Sequence, residues 1–388
     1  MNIMREIALI GFAQTLFFSL LILTKRKREI KDYILTIFLI LVGAELIYRF
    51  LLKTIPETEN IWITLFDITY WALFGPVILL YVLFTINKVE KFKAVHLLHL
   101  IPLFIGCYAI KDYLFDSSGN ISFIDYYIKS DGLTKVALYC WEFTSTLYLL
   151  YSLYILLKHK RSVKYYFSDI SRKDLKWLTI LISGFTIYIL LSYLIWIIEG
   201  AFHYAIEFNL LTILPAALTI YVFCIGYFGY KQAGIFFDYP LEKAGLTRKI
   251  FRIANTKYVK SGLGDIECNE IIDRLNVLMN TDKPYMRNDL NISDLAKMLD
   301  TSLHKLSQVI NGSFHQSFYD FINTYRIEEI KQLMKKSVSH NYTIISLAYE
   351  CGFSSKSSFY NAFKKNTGTT PSEYIHSANT THAKTAVN

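Results

Sequence analysis

Residues 295–310, LAKMLDTSLHKLSQVI, and residues 347–363, LAYECGFSSKSSFYNAF, are two copies of one pattern, and they decide how the C-terminal half folds. In each copy a Leu-Ala pair opens a short helix, and the small Ala side chain lets a second helix cross it closely. A tight turn follows at Asp300-Thr301 in the first copy and at Gly352 in the second, since Asp and Gly tolerate a left-handed backbone. Ser302 then caps the second helix, and Ser354 stands in the matching place 52 residues later. Beyond the turn the offset becomes 53, with Leu306 and Ile310 answering to Phe359 and Phe363. Asn291 or Ser293 caps the helix before the first turn. Phe318 to Met334 reads as a long helix between the copies, apolar at Phe318, Phe321, Ile322, Tyr325 and Leu333. Ile271, Ile272, Leu275 and Leu278 make the stripe of a preceding helix, closed by Pro284. No strand-like alternation persists, so this half reads as all-α.

The N-terminal half differs in kind. The chain is 53% hydrophobic and 19% charged, more apolar than one soluble core requires, and the excess is concentrated in residues 1–230. Seven apolar blocks, at 3–23, 33–52, 61–86, 94–113, 134–157, 175–198 and 208–230, meet the ~20 residues needed to cross a bilayer core. The first runs into Lys25-Arg26-Lys27-Arg28 without a small-residue cleavage site, so it reads as a retained span. Connectors 25–31, 87–93 and 158–176 hold 15 Lys/Arg, while 53–60, 111–133 and 199–208 hold 3. That bias places the N-terminus outside and the C-terminus in the cytoplasm. Pro76, Pro102 and Pro215 fall inside the expected spans as kinks or packing elements. Five cysteines without CxxC spacing exclude a zinc ribbon and a disulfide scaffold. Net charge is +4 over 1–230 and +5 over 231–388, which does not by itself point to nucleic acid.

Carboxylates inside spans are costly unless paired or hydrated. Glu45, Asp67 and Glu142 fall in the outer halves of their spans. Two readings stand: an outward pocket for a signal, or polar glue between helices, with Arg49 one turn from Glu45. His96 and His99 sit at the start of the fourth span with no third metal ligand evident.

Phe318…Arg326-Ile327…Leu333, then Ile345-Ser346-Leu347-Ala348, Gly352-Phe353-Ser354, Ser358-Phe359, Phe363-Lys364-Lys365 and Gly368-x-x-Pro371-Ser372-x-Tyr374 resemble the signature of the AraC family of transcription regulators. The resemblance covers about residues 268–377. It implies two helix-turn-helix units that place recognition helices in successive major-groove segments, about one DNA turn of ~34 Å apart. The family often has Gly where Asp300 stands, and usually Gly near His315 and Ala at Ile330. Ile375-His376 also replaces a basic ending.

Carried over by position, the resemblance makes His304, Gln308, Ser357 and Asn361 the base-edge readers. Lys305, Lys356, Lys364 and Lys365 become the phosphate-positioning side chains. Residues 268–377 carry a net charge of only +1, so the motif and not the electrostatics points to DNA. The expected organisation is an all-α chain: a seven-helix transmembrane sensor bundle over 1–230, a cytoplasmic connector over 231–266, a soluble DNA-binding domain over 267–377 and a disordered tail over 378–388. Its partners would be double-stranded DNA, the lipid bilayer of a bacterial inner membrane, a small-molecule or periplasmic signal, a second copy in a homodimer, and RNA polymerase if it activates. No HExxH, GxSxG, Walker or kinase pattern marks an enzyme or a cofactor site. A transporter or membrane enzyme carrying a regulatory domain is the alternative, and proteolytic release of the regulator from a passive anchor is a third reading.

Overall fold

Helices that are apolar on every side, without a polar stripe, must bury themselves in protein or lipid. The computed structural model describes residues 2–51, 61–86, 89, 91–114, 130–170, 173, 175–202, 214–231, 264–336 and 343–375. Among the described residues, the first 231 hold the largely apolar helices α1 (Asn2–Leu23), α2 (Ile30–Leu51), α3 (Ile61–Thr85), α4 (Ile101–Ala109), α5 (Gly132–Val163), α6 (Lys176–Phe202) and α7 (Leu214–Lys231). The chain divides into two compact units, Met1–Leu157 with Lys176–Leu241, and Lys158–Leu175 with Glu242–Asn388.

In the first unit α1 packs on α2 and α7, α2 also packs on α3, and α6 packs on α7. Small residues set the close approach of these helices. A Cβ on Gly75 would lie 2.8 Å from the Ser145 Cα, so α3 and α5 are in backbone contact there. Phe38, Phe74 and Phe185 meet edge to face at the centre, with centroids 5.2–6.0 Å apart. A buried ion pair, Lys25 to Asp32 at 2.8 Å, ties the loop between α1 and α2. Away from these contacts Phe17, Leu20, Ile37, Ile40, Leu190 and Leu191 are exposed.

Among the described residues, three helices are long and apolar enough to cross a membrane: Glu6–Leu23, Ile30–Leu51 and Lys176–Ile195. Trp71–Thr85, Ala94–Ala109 and Leu214–Phe228 are shorter apolar helices. The block at 94–113 is not one helix. A 3-10 segment, Ala94–Leu100, precedes α4, and a separate turn, Lys111–Leu114, follows it. Pro102 and Pro215 occupy first turns rather than helix interiors, where the missing N–H costs no hydrogen bond. Pro76 alone of the three lies inside its helix.

The second unit contains α8 (Asp265–Thr281), a 3-10 turn at Pro284–Met286, α9 (Ile292–Met298), α10 (Leu303–Ser313), α11 (Phe318–Lys336), α12 (Ile344–Glu350) and α13 (Lys356–Thr367). Side-chain caps start five of these helices, Ser317 accepting from the Asp320 N–H ahead of α11. Asn291 accepts from the Asp294 N–H, Ser302 from Lys305, Thr343 from Ser346 and Ser355 from Ser358. The second-copy cap is thus Ser355, not the Ser354 expected from the 52-residue offset. The extra residue enters within the turn, before the cap.

Two cores result. Leu295, Ala296, Leu303, Leu306, Val309, Ile310, Phe318, Phe321 and Ile322 share the first with Ile271, Leu275 and Met279 of α8. Ile327, Ile330, Ala348, Cys351, Phe353, Phe359, Ala362 and Phe363 form the second. Helix α11 therefore serves the first core with its opening turns and the second with its later ones.

The segment Lys158–Leu175, expected as a plain basic connector, is part of this unit. Val163, Tyr166 and Phe167 are buried in the first core, where each such side chain contributes roughly 1.5–3 kcal/mol. The backbone joins in: the Ile292 N–H donates to Tyr166 O at 3.0 Å, the Ser168 N–H to Leu290 O at 3.2 Å, and the Tyr319 N–H to Lys164 O at 2.9 Å. Phe167 and Asn291 make an isolated antiparallel bridge, and no strand is present among the described residues. Of the 231–266 connector only Lys231, at the end of α7, and residues 264–266 are described, and the 378–388 tail lies outside the described residues.

Candidate nucleic-acid interface

The two helix pairs turn through left-handed residues. Asp300 has φ +47° and Gly352 has φ +90°. Gly352 is doubly required, because a Cβ there would lie 2.7 Å from the carbonyl oxygens of Tyr285 and Met286. His315, ahead of α11 and at the place where the resembled family usually has Gly, also takes φ +53°. The departure in sequence therefore leaves the backbone geometry in place and strains it, which His tolerates better than branched residues do.

On α10 the apolar face is Leu303, Leu306, Val309 and Ile310, which sets polar residues on the opposite side. Gln308 lies there exposed, with His304 one turn earlier and half-buried. On α13 the buried face is Phe359, Ala362 and Phe363, and Ser357 and Asn361 are both exposed. Each expected pair of base readers thus shares one helix side.

The lysines separate into two groups. Lys305 is ion-paired with Glu267 of α8, and Lys365 lies 2.6 Å from Asp320 of α11. Lys356 stands over the Tyr360 ring at 5.4 Å, and Lys364 is exposed in the last turn of α13. The two acidic partners are far away in sequence, so no local pattern announces them.

Arg326 is the charged side chain that sequence reading left without a role. It is 1% exposed. Its guanidinium donates to Tyr285 O and Arg287 O at 2.7 Å each, and to Ser168 Oγ at 3.2 Å. Burial lowers its pKa to about 10, so it stays charged at neutral pH, held by carbonyls rather than by a carboxylate. It joins α11, the 284–287 turn and the 158–175 segment. Nearby, burial first and then Asp320 and Asp169 push the Tyr319 phenol up to about 12, while Lys164 stands 5.9 Å from its ring. The clue in sequence was the apolar Tyr165-Tyr166-Phe167 run inside an otherwise basic connector.

Residues 295–377 match the model of a helix-turn-helix domain family. The matched stretch runs through α10, α11, α12 and α13, and so holds all eight residues expected to touch DNA. Uncharacterized HTH-type transcriptional regulators of Staphylococcus aureus strains COL, MSSA476 and N315 are each 31% identical over 115 residues. That alignment covers 30% of this chain and 14% of each relative, so the likeness is confined to one domain. No solved structure matches.

The expected signal pocket is only partly within view. Glu45 is buried and accepts from Arg49 Nε at 2.9 Å on the same face of α2. Asp67 lies on α3 and Glu142 on α5, with their side chains outside the described residues. His96 Nδ1 accepts from the Lys93 N–H, and His99 Nδ1 lies 2.9 Å from Tyr148 Oη. No cluster of three metal-ligating side chains occurs among the described residues.

Proposed function

We propose that the chain is a membrane-bound one-component transcription regulator of a bacterial inner membrane, whose cytoplasmic unit binds promoter DNA through two helix-turn-helix units. The observation that carries this is the repeated helix pair. Helices α9–α10 and α12–α13 share side-chain caps and left-handed turns, and the second helix of each presents polar residues on its outer side. In this reading Gln308 and Asn361 take adenine edges bidentately, with His304 and Ser357 as less specific readers. Lys305, Lys356, Lys364 and Lys365 position the backbone. Helix α11 sets the spacing of the two reading helices.

Residues 1–230 form the sensor, with seven spans and the N-terminus outside. A small molecule or periplasmic component is its signal, sensed near Glu45, Asp67 and Glu142. Since Arg49 already balances Glu45, a ligand there competes for an existing ion pair. The regulator acts as a homodimer at paired sites and contacts RNA polymerase if it activates. Chromatin capture of tagged full-length protein, with RNA profiling of a deletion strain, tests the reading. A small set of promoters sharing a motif, with matching expression changes, is expected; uniform recovery of DNA with an unchanged transcript profile overturns it.

A further inference from the structure

A DNA-binding unit tethered only by residues 232–263 would be free of the membrane helices at every other point of the chain. This one is not. Lys158–Leu175 belongs to the same compact unit as the helix pairs, although it is continuous with α5 on one side and α6 on the other. Its bonds fall at the entrance to the first helix pair and on α11, the helix that follows that pair. Tyr166 O receives the Ile292 N–H beside the Asn291 cap of α9. Ser168 Oγ donates to Leu290 O at 2.6 Å and accepts from buried Arg326. Lys164 O receives Tyr319 in the first turn of α11. The second helix pair has no part in these bonds. The segment also changes the electrostatics: Lys158, Lys160, Arg161, Lys164, Arg172 and Lys173 against Asp169 and Asp174 add a net +4, where residues 268–377 carry +1.

We propose that Lys158–Leu175 is a coupling strap, whose seating against Leu290–Ile292 and Tyr319 holds the first helix pair in its DNA-binding arrangement and reports the state of α5 and α6 to it. The inference rests on the regulator reading and supplies its missing link. An outside signal reaches DNA only by biasing an element with two arrangements. The strap is bonded to the first reading unit and covalently joined to the membrane helices at both ends, so a shift of α5 against α6 acts on α9 and α11 directly. Linkage is reciprocal, so DNA bound to the first pair must tighten the strap in turn.

The test uses full-length protein in lipid nanodiscs. Phe167→Ala removes a buried strap ring, and Ser168→Ala removes only a hydroxyl, so one variant survives if the other misfolds. Hydrogen exchange is followed at Ile292 and Tyr319, and affinity is measured for a promoter fragment recovered by chromatin capture. Both variants should speed exchange at those amides, leave Ile344–Thr367 unchanged, and weaken fragment binding by about tenfold. DNA added to the wild type should slow exchange of the Ser168 amide. Unchanged exchange in both variants overturns the seating, and faster exchange with unaltered DNA affinity overturns the coupling. A wild-type chain that binds none of the captured fragments overturns the regulator reading and the coupling with it. The two failures remain distinct, because the exchange readout needs no DNA.

Discussion

His315 and Gly352 hold similar backbone conformations with opposite chemistry, and each makes a prediction. For an L-residue the left-handed region costs roughly 1–2 kcal/mol, offset in part by the larger chain entropy that Gly loses on folding. At φ +53°, His315→Gly should therefore stabilise the second unit by about 1 kcal/mol or slightly less, seen as a higher melting midpoint for that unit in the full-length protein. An unchanged or lower midpoint would show that His315 earns its place through contacts. Gly352→Ala acts the other way: strain at φ +90° adds to the collision with the Tyr285 and Met286 carbonyls, so a loss of about 2 kcal/mol or more is expected. The neighbouring thiol is a built-in reporter. Cys351 is fully buried, and burial pushes its pKa up to about 12, so it resists alkylation in the folded protein. Mass-spectrometric alkylation of the Cys351 peptide should be accelerated in Gly352→Ala and unaffected in His315→Gly. At this scale Asp300, Ser302 and Asn291 were legible because turns and caps are local chemistry. The move from Ser354 to Ser355 was not, because sequence similarity does not say at which residue of a turn an offset changes.

At the scale of the helix, legibility followed amphipathicity. Helices α8, α10, α11 and α13 each bury one side at helical spacing, although Met279, Ile327 and Ile330 are buried where the sequence reading had Leu278, Tyr325 and Leu333. The apolar helices of the first unit have no such stripe, so their limits cannot be read from the sequence. That is why the block at 94–113 resolved into separate pieces. The reading helices carry the element-level prediction. Gln308→Ala and Asn361→Ala should each cost about 1–3 kcal/mol at the cognate site while leaving non-specific binding nearly intact. Lys364→Ala should weaken all sequences alike and lower the salt slope by about one unit. Lys305 and Lys365 begin from ion pairs with Glu267 and Asp320, so their removal should lower the slope by less than loss of Lys364 does. Titration of binding at several salt concentrations separates the three classes, and identical behaviour in all of them would show that the carried-over positions are wrong.

At the scale of the molecule, the fold adds a constraint on topology that charge counting lacks. Lys158–Leu175 and the helices from α8 onward fold into one unit, so in a membrane they must lie on one side of it. The chain between them must then cross an even number of times, and the proposed spans at α6 and α7 meet that requirement. In the proposed topology the lysine and arginine bias of 15 to 3 assigns the same connector to the inner side, from unrelated physics. Sequence alone missed the shared unit because Val163 and Phe167 find partners more than a hundred residues onward, and their basic neighbours disguised them as an ordinary cytoplasmic loop. The two arguments make one joint prediction. Phosphatase fused after Asn120 should be active, and fluorescent protein fused after Asn388 should fluoresce. A small epitope inserted at the Leu175–Lys176 junction should be detected only when the inner face is opened. Activity in the reverse places would invert the sensor as a whole. An epitope exposed outside together with a fluorescent C-terminus would be more telling, since it would separate the strap from the helices it is bonded to.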